Sequence, residues 1–273
     1  MAEKIKVRLG NVSKTLLLPL WGRAIETQKS NPLLVDKMAV EIIDNIDYDF
    51  STISKNIIDI TQLAWIGRSL VTDKIIKKFL ELHQNTAIVN IGCGLDTTFE
   101  RVDNGKLYWY DLDLSDVIKL RRNFINETER RKFIESSFLD YSWFEYLKNN
   151  NKNILFIAGG VFYYFKEEQI KDFFKKIAGS FPGSELLFDI ASPFGVKVSN
   201  KKVIQSSGLD EKSFLKWGIK NPKQIYKWDK RIKQINKYSF FKDLRNGISF
   251  KKRIGTYISD LLKVMYMIHI KLQ

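Results

Sequence analysis

Two glycines and one aspartate stand where a parallel sheet would bring them together. Gly92 and Gly94 follow the apolar run 86–91, and Asp113 follows the next such run, 21 residues after Gly92. Glycines after a buried strand let the backbone approach a ligand closely, and a carboxylate at the end of the second strand reaches ribose hydroxyls over that loop. The three residues predict an adenosine site, whereas the glycines alone would also fit an ordinary tight turn.

The rest of the glycine loop distinguishes between adenosine cofactors. A dinucleotide places its pyrophosphate at a helix N-terminus, where a third glycine allows close packing. Thr97 occupies that position, and Asp96 would bring a negative charge near the pyrophosphate. S-adenosylmethionine has no phosphate, and its ammonium and sulfonium cations tolerate a nearby carboxylate. The loop therefore favours S-adenosylmethionine over NAD.

Apolar runs of strand length alternate with helical patterns after residue 85. The strand-like runs are 86–91, 107–110, 154–158, 185–190, 232–241 and 265–272, and the helical patterns cover 116–124, 143–147 and 167–178. Strands buried on both faces that alternate with helices predict an α/β fold with a doubly wound, mainly parallel sheet. Ligands bind such sheets at the carboxyl ends of the strands.

The two ends of the chain frame this sheet. Residues 1–85 read as an N-terminal helical cap, with a helix starting at Asn31-Pro32 and further helices over 57–69 and 72–82. Residues 86–273 form the Rossmann-like core. It carries a lid insertion at about 192–230, in which 195–208 reads as a mobile loop and 213–218 and 222–228 as short helices.

Composition limits the class of protein. With 44% hydrophobic residues the chain can form a full core, and its single cysteine, Cys93, excludes an internal disulfide. The longest apolar stretch, 154–165, is well below the roughly 20 residues that cross a bilayer, and no signal peptide is evident. We expect a soluble, cytoplasmic protein with no membrane partner. The net charge of +14 arises from scattered basic pairs, which favours a solvated surface over a nucleic-acid site.

Several stretches resemble the leucine carboxyl methyltransferase family, particularly its bacterial branch of tetracenomycin-type polyketide O-methyltransferases. The most specific stretch is the loop Gly-Cys-Gly-Leu-Asp-Thr at 92–97, followed by Asp-Leu-Asp at 111–113. The matching segments are 14–17, 23–26, 31–36, 62–68, 89–98, 109–113, 156–165 and 267–271. The resemblance implies a seven-stranded, Rossmann-like class I methyltransferase that uses S-adenosylmethionine.

The resemblance also implies roles for individual residues. Lys14 and Arg68 would reach the methionyl carboxylate, and Asp96 would lie near the amino group. The other expected cofactor contacts are Gly92, Cys93 and Gly94 on the methionyl and ribose side, Asp113 and Leu114 at the ribose, and Ser137 and Phe138 at the adenine. Lys14 could instead be a surface lysine, and Phe138 a core residue.

One position departs from the family pattern. After the fourth strand the family usually has a glutamate, and this chain has Gly159. If that acid contacts the cofactor, its loss removes a polar contact worth about 1 to 3 kcal/mol. We then expect weaker cofactor affinity, or compensation by an acid such as Asp96.

The acceptor side offers little for general base catalysis. His83 and His269 read as structural, and Asp189 as either a base or a turn residue, so we name no catalytic base and no metal ligand. A carboxylate acceptor needs no base because it is already ionised at neutral pH, whereas a phenol would benefit from one. Tyr164 matches the family's tyrosine and is expected near the acceptor.

These observations predict an S-adenosylmethionine-dependent O-methyltransferase that acts on a carboxyl or hydroxyl of a small, polyketide-like molecule. A non-catalytic S-adenosylmethionine-binding protein is the first alternative, because of Gly159. A nucleic-acid methyltransferase is disfavoured, since residues 159–162 lack the acid or amide and prolines used for amino methylation. Methylation at C5 of a pyrimidine needs a cysteine in its own loop, and Cys93 lies in the cofactor turn.

Overall fold

A central sheet organises the molecule. The computed structural model describes residues 3–148 and 153–273, and within them seven strands form one sheet in the order β5-β4-β3-β6-β7-β9-β8. The strands are β1 (Ile5–Lys6), β2 (Ile46–Asp47), β3 (Thr86–Ile91), β4 (Tyr108–Asp113), β5 (Arg131–Glu135), β6 (Asn153–Ala158), β7 (Glu185–Ala191), β8 (Ile232–Ser239) and β9 (Met265–Leu272). Strands β3 to β7 are parallel, β9 is antiparallel to β7 and β8, and β1 and β2 form a separate pair. The predicted seven-stranded, doubly wound, mainly parallel sheet is confirmed.

Ten α-helices surround the sheet in the described part of the chain. They are α1 (Leu17–Thr27), α2 (Lys37–Asn45), α3 (Ser51–Asn56), α4 (Asp59–Leu82), α5 (Thr98–Val102), α6 (Ser115–Arg121), α7 (Glu145–Lys148), α8 (Glu167–Ser180), α9 (Pro193–Ser199) and α10 (Phe250–Leu261). Short 3-10 helices cover Ser13–Leu16, Tyr141–Phe144, Phe162–Tyr164, Gln205–Ser207, Glu211–Ser213, Pro222–Lys227 and Arg245–Gly247, and a π-helix covers Asn200–Ile204.

The central strand β3 is buried on both faces, which explains its uninterrupted apolar run. Val89 and Ile91 point into an apolar cluster that includes Phe173 of α8. Ile88 points into the opposite cluster, which includes Phe79 of α4. Strand order reverses on either side of β3, because β4 lies on one side and β6 on the other. A crevice therefore opens at the carboxyl end of β3, where doubly wound sheets bind ligands.

The N-terminal helices differ from the prediction in two places. The segments 57–69 and 72–82 are one continuous 24-residue helix, α4, whose buried residues lie all around it, so no single apolar stripe reveals its continuity. At Ser69, where the first predicted helix ended, the hydroxyl donates to the Trp65 carbonyl one turn earlier, and the helix continues. The helix predicted at Asn31-Pro32 begins only at Lys37, because Asp36 caps it by accepting from the Ala39 N–H at 3.0 Å.

The predicted mobile loop at 195–208 is wrong, since this segment is helical. Ser192 caps α9, Pro193 occupies its first turn, and the chain continues through the π-helix Asn200–Ile204. Ile204 packs inward in one cluster with Leu215, while Lys197, Lys201 and Gln205 are exposed. Of the two predicted short helices, 222–228 matches the 3-10 helix Pro222–Lys227, but 213–218 is wrong, since only Ser213 is helical, as the last residue of Glu211–Ser213. The division into cap, core and lid stays a prediction.

One close approach fixes α4 against the sheet. A Cβ atom at Gly67 would lie 1.9 Å from the backbone carbonyl oxygen of Phe240, just after β8. No side chain atom can occupy that distance, so only glycine lets α4 come this near. In α10, by contrast, the nearest atom to a Cβ at Gly255 is Ile60 Cδ1 at 3.8 Å, an ordinary contact.

We expect opposite effects of the same substitution in these two helices. Gly67→Ala should lower the free energy of unfolding by about 1 to 3 kcal/mol, because α4 must move away from Phe240. Gly255→Ala, the matched control, should raise it by about 0.5 to 1 kcal/mol, because alanine restricts the unfolded chain and favours the helix. Urea unfolding followed by circular dichroism measures both, and equal changes would contradict the close approach.

Candidate functional site

A cavity of about 750 Å³ lies at the carboxyl ends of β3, β4 and β6. Its size is typical of a site for a small molecule or cofactor. One wall is formed by the glycine loop and the ends of the strands, and the remainder comes from the N-terminal helices, α9 and α10. The cofactor-side residues in the lining include Asn90, Gly92, Cys93, Gly94, Asp96, Asp113, Leu114, Ser137, Phe138 and Gly159.

The glycine loop turns sharply after β3. Gly92 and Gly94 have φ angles of +61° and +50°, a backbone conformation that side chains disfavour. A Cβ atom at Gly92 would lie 2.5 Å from Val161 Cγ2, and one at Gly94 would lie 3.1 Å from Leu16 Cβ. Both glycines are therefore required by conformation and by space. The loop presents bare backbone to the cavity, as a site for the ribose and methionyl groups requires.

Asp113 fixes the loop from the neighbouring strand. Its carboxylate accepts from the Gly94 N–H and the Leu114 N–H, each at 2.8 Å. Burial raises the pKa of the Asp113 carboxyl to about 6, although the two backbone donors act against this rise. The group is thus mainly ionised at neutral pH. A carboxylate has about four acceptor positions, so Asp113 retains capacity for two hydroxyl donors from a ligand.

Asp96 provides a second carboxylate in the cavity wall. It accepts from the Thr98 N–H at 3.1 Å and from the Asn90 side-chain amide at 3.2 Å. Burial opposes ionisation, but the positive charges of Arg23, Arg101 and Arg121 together lower the pKa of Asp96. The residue therefore stays an anion and can attract a cationic group.

Arg68 is held by a carboxylate that sequence reasoning left open. Its Nη1 donates to Asp189 Oδ2 at 3.0 Å, and Asp189 also accepts from the Gly160 N–H at 2.7 Å and the Tyr163 hydroxyl at 3.2 Å. Asp189 is fully buried inside β7 and is not a turn residue. Burial would lower the pKa of Arg68, but Asp189 and Tyr163 outweigh it and raise that pKa, so Arg68 is a permanent cation.

The structure brings together all but one of the residues predicted for the site. Lys14 lies in the 3-10 helix Ser13–Leu16, and among the described residues its neighbours Ser13 and Thr15 line the cavity while Lys14 does not. Cys93 is buried, which raises the pKa of its thiol well above the usual value. Tyr164 lines the cavity, and its hydroxyl donates to Thr15 Oγ1 at 3.2 Å.

The position that departs from the family pattern faces the arginine. A Cβ at Gly159 would lie 4.0 Å from Arg68 Nε, and one at Gly160 would lie 2.9 Å from Arg68 Nη1. An acidic side chain at 159 would therefore start next to this guanidinium. In this chain Asp189 supplies the charge partner from the adjacent strand instead.

Several lining residues were not found from the sequence. The lining also includes Phe194 and Lys202 in the predicted lid, and Ile258 and Leu262 in and after α10. The spacing of Phe250, Ile254 and Ile258 by four residues carried a helical signal for α10, but nothing in the sequence shows which face meets the cavity.

The fold and this site define a class I S-adenosylmethionine-dependent methyltransferase. The chain belongs to the leucine carboxyl methyltransferase family, because the family model described as "Leucine carboxyl methyltransferase" matches residues 17–178. The predictions of family, fold class and cofactor are thereby confirmed. The shape of the glycine loop and the free acceptor capacity of Asp113 fit S-adenosylmethionine.

Two relatives match most of the chain. The tetracenomycin polyketide synthesis O-methyltransferase TcmP of Streptomyces glaucescens is 28% identical over 221 residues, which covers 80% of this chain and 79% of the relative. The S-adenosyl-L-methionine-dependent methyltransferase dpfgK of Gibberella zeae is 25% identical over 244 residues, which covers 82% of this chain and 80% of the relative.

Solved structures share the fold. A DUF574 family protein from Streptomyces avermitilis aligns with a TM-score of 0.58 and 10% identity, covering 93% of this chain and 97% of that one. The magnesium protoporphyrin IX methyltransferase of Synechocystis, solved with bound SAH, aligns with a TM-score of 0.50 and 12% identity, covering 83% of this chain and 90% of that one.

The described residues contain neither a candidate metal cluster nor a candidate membrane span. Across 3–148 and 153–273, no cluster of three or more histidine, cysteine, aspartate or glutamate side chains is arranged to hold a metal ion. In the same residues, no helix has both the length and the apolar character needed to span a membrane.

Cofactor affinity should depend on the ionisation of Asp113. Because the pKa of Asp113 is about 6, lowering the pH through 6 protonates the carboxylate, which removes its charge and weakens its capacity to accept from two ribose hydroxyls. We expect weaker binding of S-adenosylhomocysteine at pH 5 than at pH 8, and a loss of at least about tenfold at pH 8 for Asp113→Ala, or about 1.4 kcal/mol.

Titration calorimetry measures these affinities. Asp113→Asn should bind weakly with little change over the same pH range, and Asp116→Ala, three residues along the chain, should bind like the unmodified protein. Unchanged affinity in Asp113→Ala would remove this residue from the site.

Proposed function

We propose that this protein transfers a methyl group from S-adenosylmethionine to a carboxyl or hydroxyl oxygen of a small, largely apolar molecule of the polyketide-like class. The observation that carries the proposal is a single cavity with two unlike walls. The glycine loop and Asp113 form one wall, and mostly apolar side chains form the other. The printed name of TcmP, an O-methyltransferase of polyketide synthesis, supports the reaction type.

The cofactor wall offers a partner for each polar part of S-adenosylmethionine. Asp113 accepts from the ribose hydroxyls beside the bare backbone of the glycine loop. Asp96 faces the ammonium group as a half-buried anion. Ser137 and Phe138 flank the adenine. The Phe138 ring packs edge-on against the Phe165 ring, with 4.7 Å between the ring centres.

Arg68 binds the methionyl carboxylate in this proposal. One of its nitrogens, Nη1, is committed to Asp189, which fixes the plane of the guanidinium. The remaining N–H donors of the fork are then available for a carboxylate. Asp189 therefore orients Arg68, although it does not line the cavity in the part of the chain that the structure describes.

Methyl transfer from a sulfonium is an in-line displacement, for which the bound cofactor supplies the electrophilic methyl group. The protein's task is to align the acceptor oxygen with that methyl and to exclude water. Phe194, Val198, Leu262 and Met265 provide apolar surface for this purpose. Tyr164, at the junction of the two walls, is the residue we place nearest to the acceptor.

The charges of the acceptor wall favour a carboxylate as the nucleophile. Lys202 lines the cavity and, among the described residues, makes no ion pair with an acid, so it can attract an anionic acceptor. Burial raises the pKa of the Tyr164 phenol, which makes it a poor base at neutral pH. Asp96 and Asp113 are occupied on the cofactor side. A carboxylate needs no base because it is already ionised.

The test is transfer of a labelled methyl group to a matched panel of apolar carboxylic acids and phenols, followed by mild alkali. We expect labelled product with carboxylic acids, and release of the label as methanol on alkaline treatment, because an ester hydrolyses and an aryl ether does not. Lys202→Met should raise KM for the acids at least about tenfold through loss of its attraction, and Lys201→Met is the control.

Two outcomes would overturn the proposal. Label that appears only on nitrogen or carbon would contradict an oxygen acceptor. Tight S-adenosylhomocysteine binding without transfer to the panel or to any compound of a metabolite extract would favour a non-catalytic binding protein. The expectation that nucleic acid is not a partner stays a prediction, which labelled RNA and DNA in the same assay would test.

A further inference from the structure

Helix α10 exposes an apolar face to the outside of the molecule. Phe250, Ile254, Tyr257 and Leu261 are 75%, 47%, 56% and 80% exposed. With about 100° of rotation per residue, these four side chains fall within one arc about 60° wide. A surface helix normally turns such a stripe toward the core. In α10 the only buried residue is Thr256.

The inner side of α10 is firmly held by polar contacts. Arg245 pairs with Asp260, and its Nε donates to Thr256 Oγ1 at 3.1 Å. Lys252 pairs with Asp59 at the start of α4 at 2.9 Å. These contacts hold the face of α10 opposite the apolar stripe against the rest of the molecule, and the Arg245 guanidinium also lies 3.9 Å from the centre of the Tyr257 ring.

Basic residues flank the apolar stripe. Lys251 and Arg253 lie on opposite sides of it, and Lys263 follows the helix. Among the described residues none of these three makes an ion pair with an acid, and the single acid of 250–263, Asp260, is already paired with Arg245. The surface around α10 is therefore apolar in its middle and positive at its margins.

The same surface continues into the cavity. Ile258 and Leu262 line the cavity and are still 52% and 46% exposed. Phe194 and Ile58 line it as well, and each is 50% exposed. The exposed apolar side chains thus extend from the outer face of α10 to the rim of the cavity.

The positive charge around α10 distinguishes between two candidate binding partners, a second copy of the chain and a phospholipid surface. A second copy of the chain would bring one positive margin against another, in a protein whose net charge is +14. An anionic phospholipid surface matches both features, because apolar side chains enter the boundary between headgroups and acyl chains while lysine and arginine reach the phosphates.

We propose that α10 docks this protein onto an anionic phospholipid surface, with the rim of the cavity beside the lipid. We expected no membrane partner because no apolar stretch of the sequence is long enough to cross a bilayer, but a surface helix does not need to cross it. The proposal does not depend on the methyl-transfer reaction, since docking can be measured without cofactor or acceptor.

The experiment is cosedimentation of the full chain with vesicles of phosphatidylcholine and phosphatidylglycerol in equal parts, compared with phosphatidylcholine alone. We expect binding to the anionic vesicles that weakens as salt is raised, and at least tenfold less binding to the neutral ones. The double variant Phe250→Ser, Leu261→Ser should lose at least tenfold in binding to anionic vesicles, and so should Lys251→Glu, Arg253→Glu.

Leu82→Ser is the matched control, because Leu82 is an apolar residue that is 69% exposed. It lies at the C-terminal end of α4, whereas the N-terminal end of α4 lies beside Lys252 of α10. The 24 residues of α4 span about 36 Å, so Leu82 is far from the apolar stripe. This control variant should bind vesicles like the unmodified protein. Thermal unfolding shows which variants are folded. If Phe250→Ser, Leu261→Ser does not fold, the vesicle binding of Lys251→Glu, Arg253→Glu tests the proposal. Absence of binding to anionic vesicles, equal losses in Leu82→Ser, or a dimer in sedimentation velocity that Phe250→Ser, Leu261→Ser dissolves would each overturn the proposal.

Discussion

The buried guanidinium of Arg121 holds the loop on which the cofactor site depends. The side chain is fully buried and donates to the Gly94 carbonyl at 2.9 Å, the Asp96 carbonyl at 2.8 Å and Asp111 Oδ2 at 2.9 Å. Burying a charge is costly unless it is paired, and Asp111 in β4 provides that pairing, although Arg121 Nε has no hydrogen-bond partner among the described residues. Arg121 binds the loop carbonyls of Gly94 and Asp96, while the Gly94 N–H donates to Asp113 at 2.8 Å. Arg121 and Asp113 thus hold the glycine loop from two sides of the same residue, Gly94.

A second set of buried charges attaches the N-terminal helices to the same loop. Asp36 accepts from Arg23 Nε at 2.8 Å, Arg101 Nη1 at 2.7 Å and Thr97 Oγ1 at 2.5 Å. Asp36 caps α2 and Arg23 lies in α1, while Thr97 is the last residue of the glycine loop. These helices therefore close the cavity from one side as a fixed part of the site. Thr97, which sequence reasoning used only to argue against a dinucleotide, has a direct structural role here.

The part of the site that could be predicted from the sequence is the part made by local chemistry. Gly92 and Asp113 follow short apolar runs, so their positions at the ends of adjacent strands follow from the strand pattern alone. The pairing of Arg68 with Asp189 spans 121 residues and depends on how α4 packs on the sheet, which no local pattern contains. The role of Arg121 was missed for the same reason, because a helix arginine usually faces solvent. Likewise, the continuity of α4 and the helical structure of residues 193–207 depend on packing on several faces.

The claim that Arg121 holds the glycine loop is tested most directly by the affinity of Arg121→Lys for S-adenosylhomocysteine. Calorimetry measures this affinity, and Arg122→Lys is the control. A lysine keeps the positive charge next to Asp111 but cannot span the two loop carbonyls, whereas Arg122 is partly exposed and pairs only with surface glutamates. The account predicts a loss of at least about tenfold for Arg121→Lys and less than about threefold for Arg122→Lys, or about 1.4 and 0.7 kcal/mol. A folded Arg121→Lys protein that binds S-adenosylhomocysteine as tightly as the unmodified chain would contradict it.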